Sequence, residues 1–227
     1  MKRVSIFALI LLLAATFAYG SGVIIKRRIA GGGTPADNTF TVAVADNTDD
    51  GTFQYGGSWA YSSRGQDNED IGWVGGANSN YVWTFVRFTI PKAIPSTATV
   101  SSASVKFYGY GTWLWTQGTD DLFISATDAD NPVAPTTAGE RPSTNGGSTT
   151  LTTANAAWNN ITWADNTWNA SVDISTILQE LVTSDYLSTI GDNVIIWVRG
   201  TTTTNHSVGY YLKENAIAHP AELSITW

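Results

Sequence analysis

Apolar side chains from Phe40 onward recur mostly at every second position, in short runs separated by Gly, Asn, Asp, Thr and Pro. Period-two runs bounded by turn-forming residues predict β-strands. This pattern predicts strands over residues 40–45, 81–90, 103–110, 122–126, 194–199, 208–212 and 221–227. Strands at this spacing, with little helical periodicity between them, are typical of an all-β fold. We expect a single jelly-roll-like antiparallel β-sandwich over residues 34–227.

The longest predicted strand, residues 81–90, has the sequence YVWTFVRFTI. Successive side chains of a strand point to opposite faces, so Val86 and Phe88 share one face while Trp83 and Phe85 share the other. Both faces are therefore apolar over part of the strand. This pattern predicts a central strand that is covered on both sides.

One segment has the periodicity of a helix rather than a strand. We expect a short helix over about residues 173–183, because its apolar residues recur at i, i+3, i+4, i+7 and i+8: Ile174, Ile177, Leu178, Leu181 and Val182. Asp173 stands near its N-terminus, where a carboxylate is favoured. Residues 127–157 are rich in Thr, Asn, Gly and Pro, and we expect them to form a long surface excursion.

Residues 1–20 have the form of a secretory signal peptide. Lys2 and Arg3 precede an apolar run, which ends in the small-x-small sequence Ala18-Tyr19-Gly20 before Ser21. We expect this segment to be removed from a protein that is secreted or displayed at the cell surface. No membrane segment is expected after its removal.

A short β-branched stretch follows the signal and precedes three glycines, Gly31 to Gly33. Glycine-rich linkers are flexible, so a strand in front of one can be placed away from its own domain. Residues 21–33 are therefore interpreted as an N-terminal arm that carries a candidate assembly strand, Val23, Ile24, Ile25, Lys26, Arg27, Arg28 and Ile29.

The charge of the chain is divided unevenly. Residues 21–30 contain three basic residues and no acidic one, whereas the whole chain has 12 Lys and Arg against 19 Asp and Glu, a net charge of −7. A basic arm on an acidic body favours contact between neighbouring copies; a solvated tail is the simpler alternative. The acidic body disfavours nucleic-acid binding. The absence of cysteine excludes disulfides and thiolate sites.

Ten tryptophans are present, and most are expected in the core. The sequence around residues 108–115 differs, because aromatic residues alternate there with small ones. A surface aromatic strip could stack on the apolar C–H faces of sugar rings or form a subunit contact. The candidate carbohydrate-binding residues are Tyr108, Tyr110, Trp113 and Trp115.

Catalytic motifs are lacking around His206 and His219, the only histidines, and we expect a protein that is not an enzyme. Acidic loops offer hard oxygen ligands for structural Ca²⁺, with solvated turn carboxylates as the alternative: Asp46, Asp49, Asp50, Asp67, Glu69 and Asp70. No other cofactor is expected. Three Asn-x-Ser/Thr triplets are candidate surface glycosylation sites: Asn160, Asn169 and Asn205.

Several strand and helix segments together resemble DNRLRE-type carbohydrate-binding modules and related virion β-sandwich domains. The resemblance covers roughly residues 80–227 and is carried by residues 85–90, 98–107, 161–163, 172–182, 193–199 and 219–227, with Trp168. It implies a β-sandwich fold and carbohydrate binding. It carries over no ligand-contacting residue.

Two functions follow as hypotheses. In the first, the protein is a subunit of an extracellular filament or pilus-like fibre, assembled head-to-tail when the N-terminal strand adds to a sheet of the neighbouring copy. In the second, it is a secreted carbohydrate-binding protein that uses the aromatic strip. The partners expected are neighbouring copies of the chain and glycans, bound or covalently attached.

Overall fold

The computed structural model describes residues 38–55, 59–62, 68–74, 80–110, 120–200, 207–213 and 219–227. These ranges contain one α-helix, α1 (Ser175–Thr183), two 3-10 turns and twelve strands. The strands are β1 (Thr39–Ala43), β2 (Asp50–Tyr55), β3 (Trp59–Ser62), β4 (Asn68–Val74), β5 (Asn80–Thr89), β6 (Ser102–Tyr108), β7 (Asp120–Ala126), β8 (Ala156–Ile161), β9 (Trp168–Ala170), β10 (Asn193–Gly200), β11 (Ser207–Tyr211) and β12 (Glu222–Thr226).

The strands form two antiparallel sheets. The small sheet has the order β1-β12-β6-β9, and the large sheet has the order β11-β4-β5-β10-β7-β8, with β2 pairing with β5 and β3 pairing with β2. The predicted all-β, sandwich-like fold is therefore confirmed. The jelly-roll connectivity stays a prediction.

The main core lies between the two sheets. In β6 the side chains alternate strictly, so Val105 and Phe107 are fully buried while Lys106 and Tyr108 are half-buried on the opposite face. The same core cluster takes residues from both sheets and from the helix, including Phe88, Ile124, Ile196, Leu223, Ile225, Ile177, Leu178, Leu181 and Val182. Burial of these apolar side chains from both sheets is the main term that holds the sheets together.

The predicted helix is confirmed over Ser175–Thr183, and the apolar residues Ile177, Leu178, Leu181 and Val182 form its buried face. The Asp173 carboxylate accepts a hydrogen bond from the Ser175 N–H (3.2 Å), as expected for an acidic residue at a helix start. This hydrogen bond connects the first residue of the helix to the segment that follows β9.

A second apolar cluster covers the outer face of the large sheet. It contains Phe53, Trp83, Phe85, Ile195 and Trp197, with Ala134 and Leu151 from the excursion packed on it. The prediction that residues 81–90 form a strand covered on both faces is confirmed, because β5 contributes Val86 and Phe88 to the main core.

The excursion after β7 has more order than the sequence suggested. The 3-10 turns Ala138–Glu140 and Ser143–Asn145 lie within it, and β8 begins at Ala156, so the last two residues of the predicted excursion 127–157 belong to a strand. Backbone hydrogen bonds from the N–H groups of Thr136 and Thr137 lower the pKa of the Glu140 carboxyl. These hydrogen bonds fix the turn that follows Ala134, which packs on the sheet.

Residues 1–37, which include the predicted signal peptide and the N-terminal arm, lie outside the described residues. Within the described part of the chain, no helix is both long and apolar enough to cross a bilayer. Residues 38–227 form one compact unit by their internal contacts.

Candidate functional site

Aromatic side chains gather in the small sheet where β6 ends and β9 begins. The register pairs Tyr108 directly with Trp168, and their rings meet edge to face with centroids 5.4 Å apart. The imidazole of His219 stacks on Tyr108 at 3.9 Å and meets the edge of Trp168 at 5.8 Å. All three side chains are half-buried, so each keeps part of its surface in contact with solvent.

Two further tyrosines extend this group. Tyr110 meets Tyr211 at 4.8 Å, and Tyr211 lies 5.9 Å from Tyr108. Tyr211 is buried, whereas Tyr110 is half-buried. We call the five residues Tyr108, Tyr110, Trp168, Tyr211 and His219 the aromatic cluster.

A charged pair borders the aromatic cluster on the same outer face. The ammonium group of Lys106 lies 4.6 Å from the centre of the Trp168 ring and 2.8 Å from the Glu222 carboxylate. Such a cation–π contact adds about 0.5–1 kcal/mol at an exposed position. The cluster therefore places ring faces beside one hydrogen-bond donor and one acceptor, a combination that suits a polar ligand with apolar C–H faces.

Gly109 permits the close approach that builds the cluster. A Cβ at this position would lie 2.2 Å from the Ala164 carbonyl oxygen and 3.0 Å from Trp163 Nε1. Gly109 N–H donates to the Thr167 carbonyl and its own carbonyl accepts from Asn166 N–H, each at 2.9 Å. The turn between β8 and β9 is thereby held against the end of β6, which brings Trp168 to Tyr108.

Only two of the four residues in the predicted aromatic strip lie in the described part of the chain. Tyr108 and Tyr110 are brought together through Tyr211, while Trp113 and Trp115 lie outside the described residues. The sequence pattern did not predict that four further residues belong to this site: Lys106, Trp168, Tyr211 and His219. No sequence signal pairs β9 with β6, because β9 has three residues and no recognisable alternation.

A second candidate site is a groove of about 410 Å³ between β8 and the segment 168–172. Among the described strands β8 pairs only with β7, so one backbone edge of β8 faces this groove. Val172, 36% exposed, is one of the few large apolar side chains that the described part of the chain exposes. The groove is lined by Trp158, Asn159, Ile161, Thr162, Trp168, Asn169, Ala170, Ser171 and Val172.

The candidate assembly strand, residues 23–29, lies outside the described residues, so its pairing stays a prediction. Several described strands have an open edge to which it could add. Besides β8, these are β1, β3, β9 and β11, each of which pairs with a single strand in the described part of the chain.

The acidic residues proposed as calcium ligands have other partners. Asp46 Oδ1 accepts from Thr48, Asp49 forms an ion pair with Arg87 at 3.0 Å, and Asp50 Oδ2 accepts the Lys213 N–H at 3.1 Å. Each of these three carboxylates thus has a structural contact of its own.

The second acidic group lies in a strand rather than a loop, because β4 contains both Glu69 and Asp70. Asp67 lies outside the described residues. In the ranges that the structure describes, no three His, Cys, Asp or Glu side chains come close enough to hold a metal ion. Structural calcium at these acids stays a prediction without support from the geometry.

Two of the three candidate glycosylation triplets begin in strands. Asn160 is in β8 and Asn169 is in β9, while Asn205 lies outside the described residues. Asn169 is 8% exposed, and its amide donates to the carbonyls of Ala164 (2.9 Å) and Thr167 (3.1 Å). The expectation that Asn169 is a surface point was wrong, because its side chain closes the β8–β9 turn.

Neither a scan against models of known protein families nor a search of curated proteins finds a match for this chain.

Proposed function

We propose that this protein is an extracellular structural subunit that polymerises head-to-tail, with residues 23–29 of one copy adding as a strand to a sheet of the next. The observation that carries the proposal is the open strand edge. Both sheets leave strands with a single partner among the described residues: β1 and β9 in the small sheet, and β8, β11 and β3 in the large one. An unpaired edge is a template for a further strand.

The arm has the chemistry that such an edge accepts. Its β-branched residues favour an extended conformation, and three glycines follow that allow it to leave its own domain. The donor segment and the acceptor edge are different surfaces, so the contact is head-to-tail and continues into a fibre. The basic arm is also attracted to the acidic body of a neighbouring copy. A non-catalytic role is part of this proposal.

Deletion of residues 21–33 tests the polymer function. Negative-stain electron microscopy of the secreted protein is expected to show fibres, and the deletion variant is expected to stay folded and monomeric, with unchanged far-ultraviolet circular dichroism and no fibres. A matched control replaces Lys26, Arg27 and Arg28 with Gln, which keeps a strand-forming arm but removes its charge. Full-length protein that remains monomeric at all concentrations and salt conditions would falsify the proposal.

Carbohydrate binding is the second candidate, and the aromatic cluster with Lys106 and Glu222 favours it. Half-buried rings supply apolar faces for sugar C–H groups, and the charged pair supplies hydrogen bonds to hydroxyls. A glycan array, followed by pull-down on insoluble cellulose and chitin, is the test. Binding that falls at least tenfold in Trp168→Ala and is kept in the distant variant Val133→Ala supports this function; no bound glycan on the array rejects it.

A further inference from the structure

We propose that the acceptor for residues 23–29 of a neighbouring copy is the groove beside β8, and not the edge of β1. This inference rests on the proposed polymer function and adds the place where the strand binds. The groove joins an open backbone edge to apolar side chains from both sheets: Trp158 and Ile161 from β8 and Trp168 from β9. An added strand needs both features, the edge for affinity and the side chains for register.

The hydrogen bonds around β7 fix the direction of its backbone groups. Thr127 N–H donates to Ile195 O on the β10 side, and Thr152 N–H donates to Ala126 O on the other side, each at 2.9 Å. Backbone groups alternate along a strand. The odd-numbered residues of β7 therefore face β10, and the even-numbered ones face β8.

The same alternation identifies the free backbone groups of β8. Ala156 and Trp158 pair with even-numbered residues of β7, so their N–H and C=O groups face that strand. Ala157, which lies between them, then directs its N–H and C=O groups to the open edge. Beyond Trp158 the register with β7 shifts, so this alternation ends there. The side chains of Ala157 and Asn159 are exposed, and no described strand pairs with β8 on that side. A peptide seated in the groove can satisfy these groups.

The arm matches the groove in length and in polarity. Seven extended residues span about 23 Å, close to the ~20 Å of the six-residue β8. Alternation divides the arm into a mainly apolar row, Val23, Ile25, Arg27 and Ile29, and a mixed row, Ile24, Lys26 and Arg28. The apolar row is placed over the accessible apolar lining residues Ile161, Trp168 and Val172, and the mixed row stays at the solvent side.

The charges around the groove are compatible with an arm whose mainly apolar row faces the groove. The lining residues carry no charge, and the exposed carboxylates of Asp165 and Asp173 stand in the segments on either side of β9. Arg27, the charged member of the apolar row, can reach such a carboxylate at the rim. Exposed pairs of this kind contribute little affinity, but they select the basic segment over other strands.

The open edge of β1 has fewer of these features. Its outward residues Thr39 and Thr41 are exposed, and their hydroxyls already bond to Thr226 and Ser224 at 3.0 and 2.8 Å. Phe40 packs on the ring of Trp227 at 5.6 Å. Among the described residues, no large apolar side chain of β1 is exposed, whereas Val172 beside β8 is 36% exposed.

A matched pair of proline variants separates the two edges. At an edge position whose N–H faces outward, the domain itself tolerates proline. An added strand, however, loses the N–H with which it would pair. Ala157→Pro removes such a group from β8. Ala43→Pro removes one from β1, because Val44 N–H donates to Ala221 O and the alternation leaves Ala43 facing out. Fibre mass after ultracentrifugation is expected to fall at least tenfold in Ala157→Pro and to stay within twofold of wild type in Ala43→Pro.

Disulfide trapping keeps the proposal testable if Ala157→Pro does not fold. The chain has no cysteine, so introduced pairs are unambiguous. Asn159→Cys is combined in turn with Ile24→Cys, Lys26→Cys and Arg28→Cys, since paired strands bring one of these within disulfide distance. A ladder of cross-linked species on a non-reducing gel is expected, and Thr41→Cys with the same three partners is the control.

These experiments separate the choice of the β8 groove as acceptor from the polymer function itself. Fibres that survive Ala157→Pro, or cross-links that form at Thr41→Cys and not at Asn159→Cys, overturn the β8 groove and leave the polymer function standing. Wild-type protein that forms neither fibres nor cross-links at either edge overturns both.

Discussion

The outer faces of the two sheets use aromatic residues in opposite ways. On the large sheet, Trp197 is 1% exposed and lies 5.7 Å from Phe53 and 5.6 Å from Phe85, beneath Ala134 and Leu151 of the excursion. On the small sheet, the aromatic cluster is only half-buried, and a lysine and a glutamate border it. The number of aromatic residues does not separate these faces. What separates them is whether a further segment of chain covers the rings.

Hydrogen bonding shows the same contrast. The indole N–H of Trp197 donates to the Thr127 hydroxyl at 2.9 Å, a buried bond that water cannot replace. The Tyr108 hydroxyl donates to the Asn166 carbonyl at 2.7 Å in an exposed position, where water competes. Loss of a buried partner costs about 1–3 kcal/mol, whereas an exposed bond contributes less. The face of the large sheet is therefore built for stability, and the face of the small sheet is available for contact.

The largest expected effect comes from Trp197→Ala. Removal of a buried tryptophan costs about 3–5 kcal/mol, because the apolar contacts are lost and a cavity remains. Trp168→Ala, on the small sheet, is expected to cost under about 1.5 kcal/mol, since the side chain is only half-buried. Chemical denaturation of both variants measures the difference. Equal losses would mean that the two faces do not differ in the way proposed.

The next largest loss of stability is expected when the ion pair of Arg87 with Asp49 is broken. Arg87 and Asp49 are 23% and 6% exposed and lie 3.0 Å apart, so Asp49→Asn leaves a largely buried guanidinium without its charge partner. We expect a loss of about 2 kcal/mol, below the ~3–5 kcal/mol of a fully buried pair. The midpoint of urea unfolding is the measurement, with Asp46→Asn as the exposed control. A loss no larger than that of the control contradicts a structural role for this pair.

The same comparison explains what the sequence could and could not predict. Alternation identified β6 and β12, runs of apolar residues identified β5 and β10, and the i, i+3, i+4 pattern identified α1, because burial of one or both faces leaves a direct trace in the residue order. The strands β2 to β4 were missed, since residues 50–74 are rich in Gly, Asp and Asn, which are rare in strands. Their pairing with β5 and with each other is a tertiary effect.

The candidate site was predictable only in part, for the same reason. Tyr108 and Tyr110 belong to one recognisable strand and its end, and the sequence could place them together. Trp168 and His219 lie 60 and 111 residues further along the chain and join them through the register of β6 with β9 and the path before β12. Nothing in local composition encodes that register. The covering of Trp197 by the excursion is likewise a contact between distant segments.

Substitution of Asp173, which bonds to β6 of the small sheet, is expected to cause an intermediate loss of stability. Its carboxylate accepts the Ala103 N–H of β6 at 2.9 Å and the Ser175 hydroxyl at 2.6 Å. Partial burial opposes ionisation, but the hydrogen bonds from Ser175 and Ala103 outweigh it and hold the pKa of the Asp173 carboxyl below its usual value. Asp173→Ala is expected to cost about 1 kcal/mol, because the Ala103 N–H and the Ser175 hydroxyl lose their acceptor.

The lowered pKa fixes how this effect depends on pH. A carboxyl whose pKa is lower in the folded state stabilises the fold above its unfolded pKa of about 3.9, and this contribution disappears as the pH falls through the folded pKa. The stability difference between wild type and Asp173→Asn is therefore expected to be constant from pH 5 to 7 and to shrink below about pH 4. Solvent exposure limits its size. A difference that grows as the pH falls contradicts this assignment.

The smallest loss of stability is expected for the Lys106–Glu222 pair on the outer face of the small sheet. Lys106 and Glu222 lie 2.8 Å apart with 32% and 25% of their side chains exposed, so water and salt screen them far more than Arg87 and Asp49. Glu222→Gln is expected to change the free energy of unfolding by about 0.2–1 kcal/mol, and 0.5 M NaCl is expected to abolish the difference. The freed ammonium of Lys106 still lies over Trp168, so a ligand of the aromatic cluster loses one acceptor and keeps the cation. If Glu222→Gln instead destabilises the fold as much as Asp49→Asn, the outer face of the small sheet is a structural surface like that of the large one, and the case for using it as a binding surface fails.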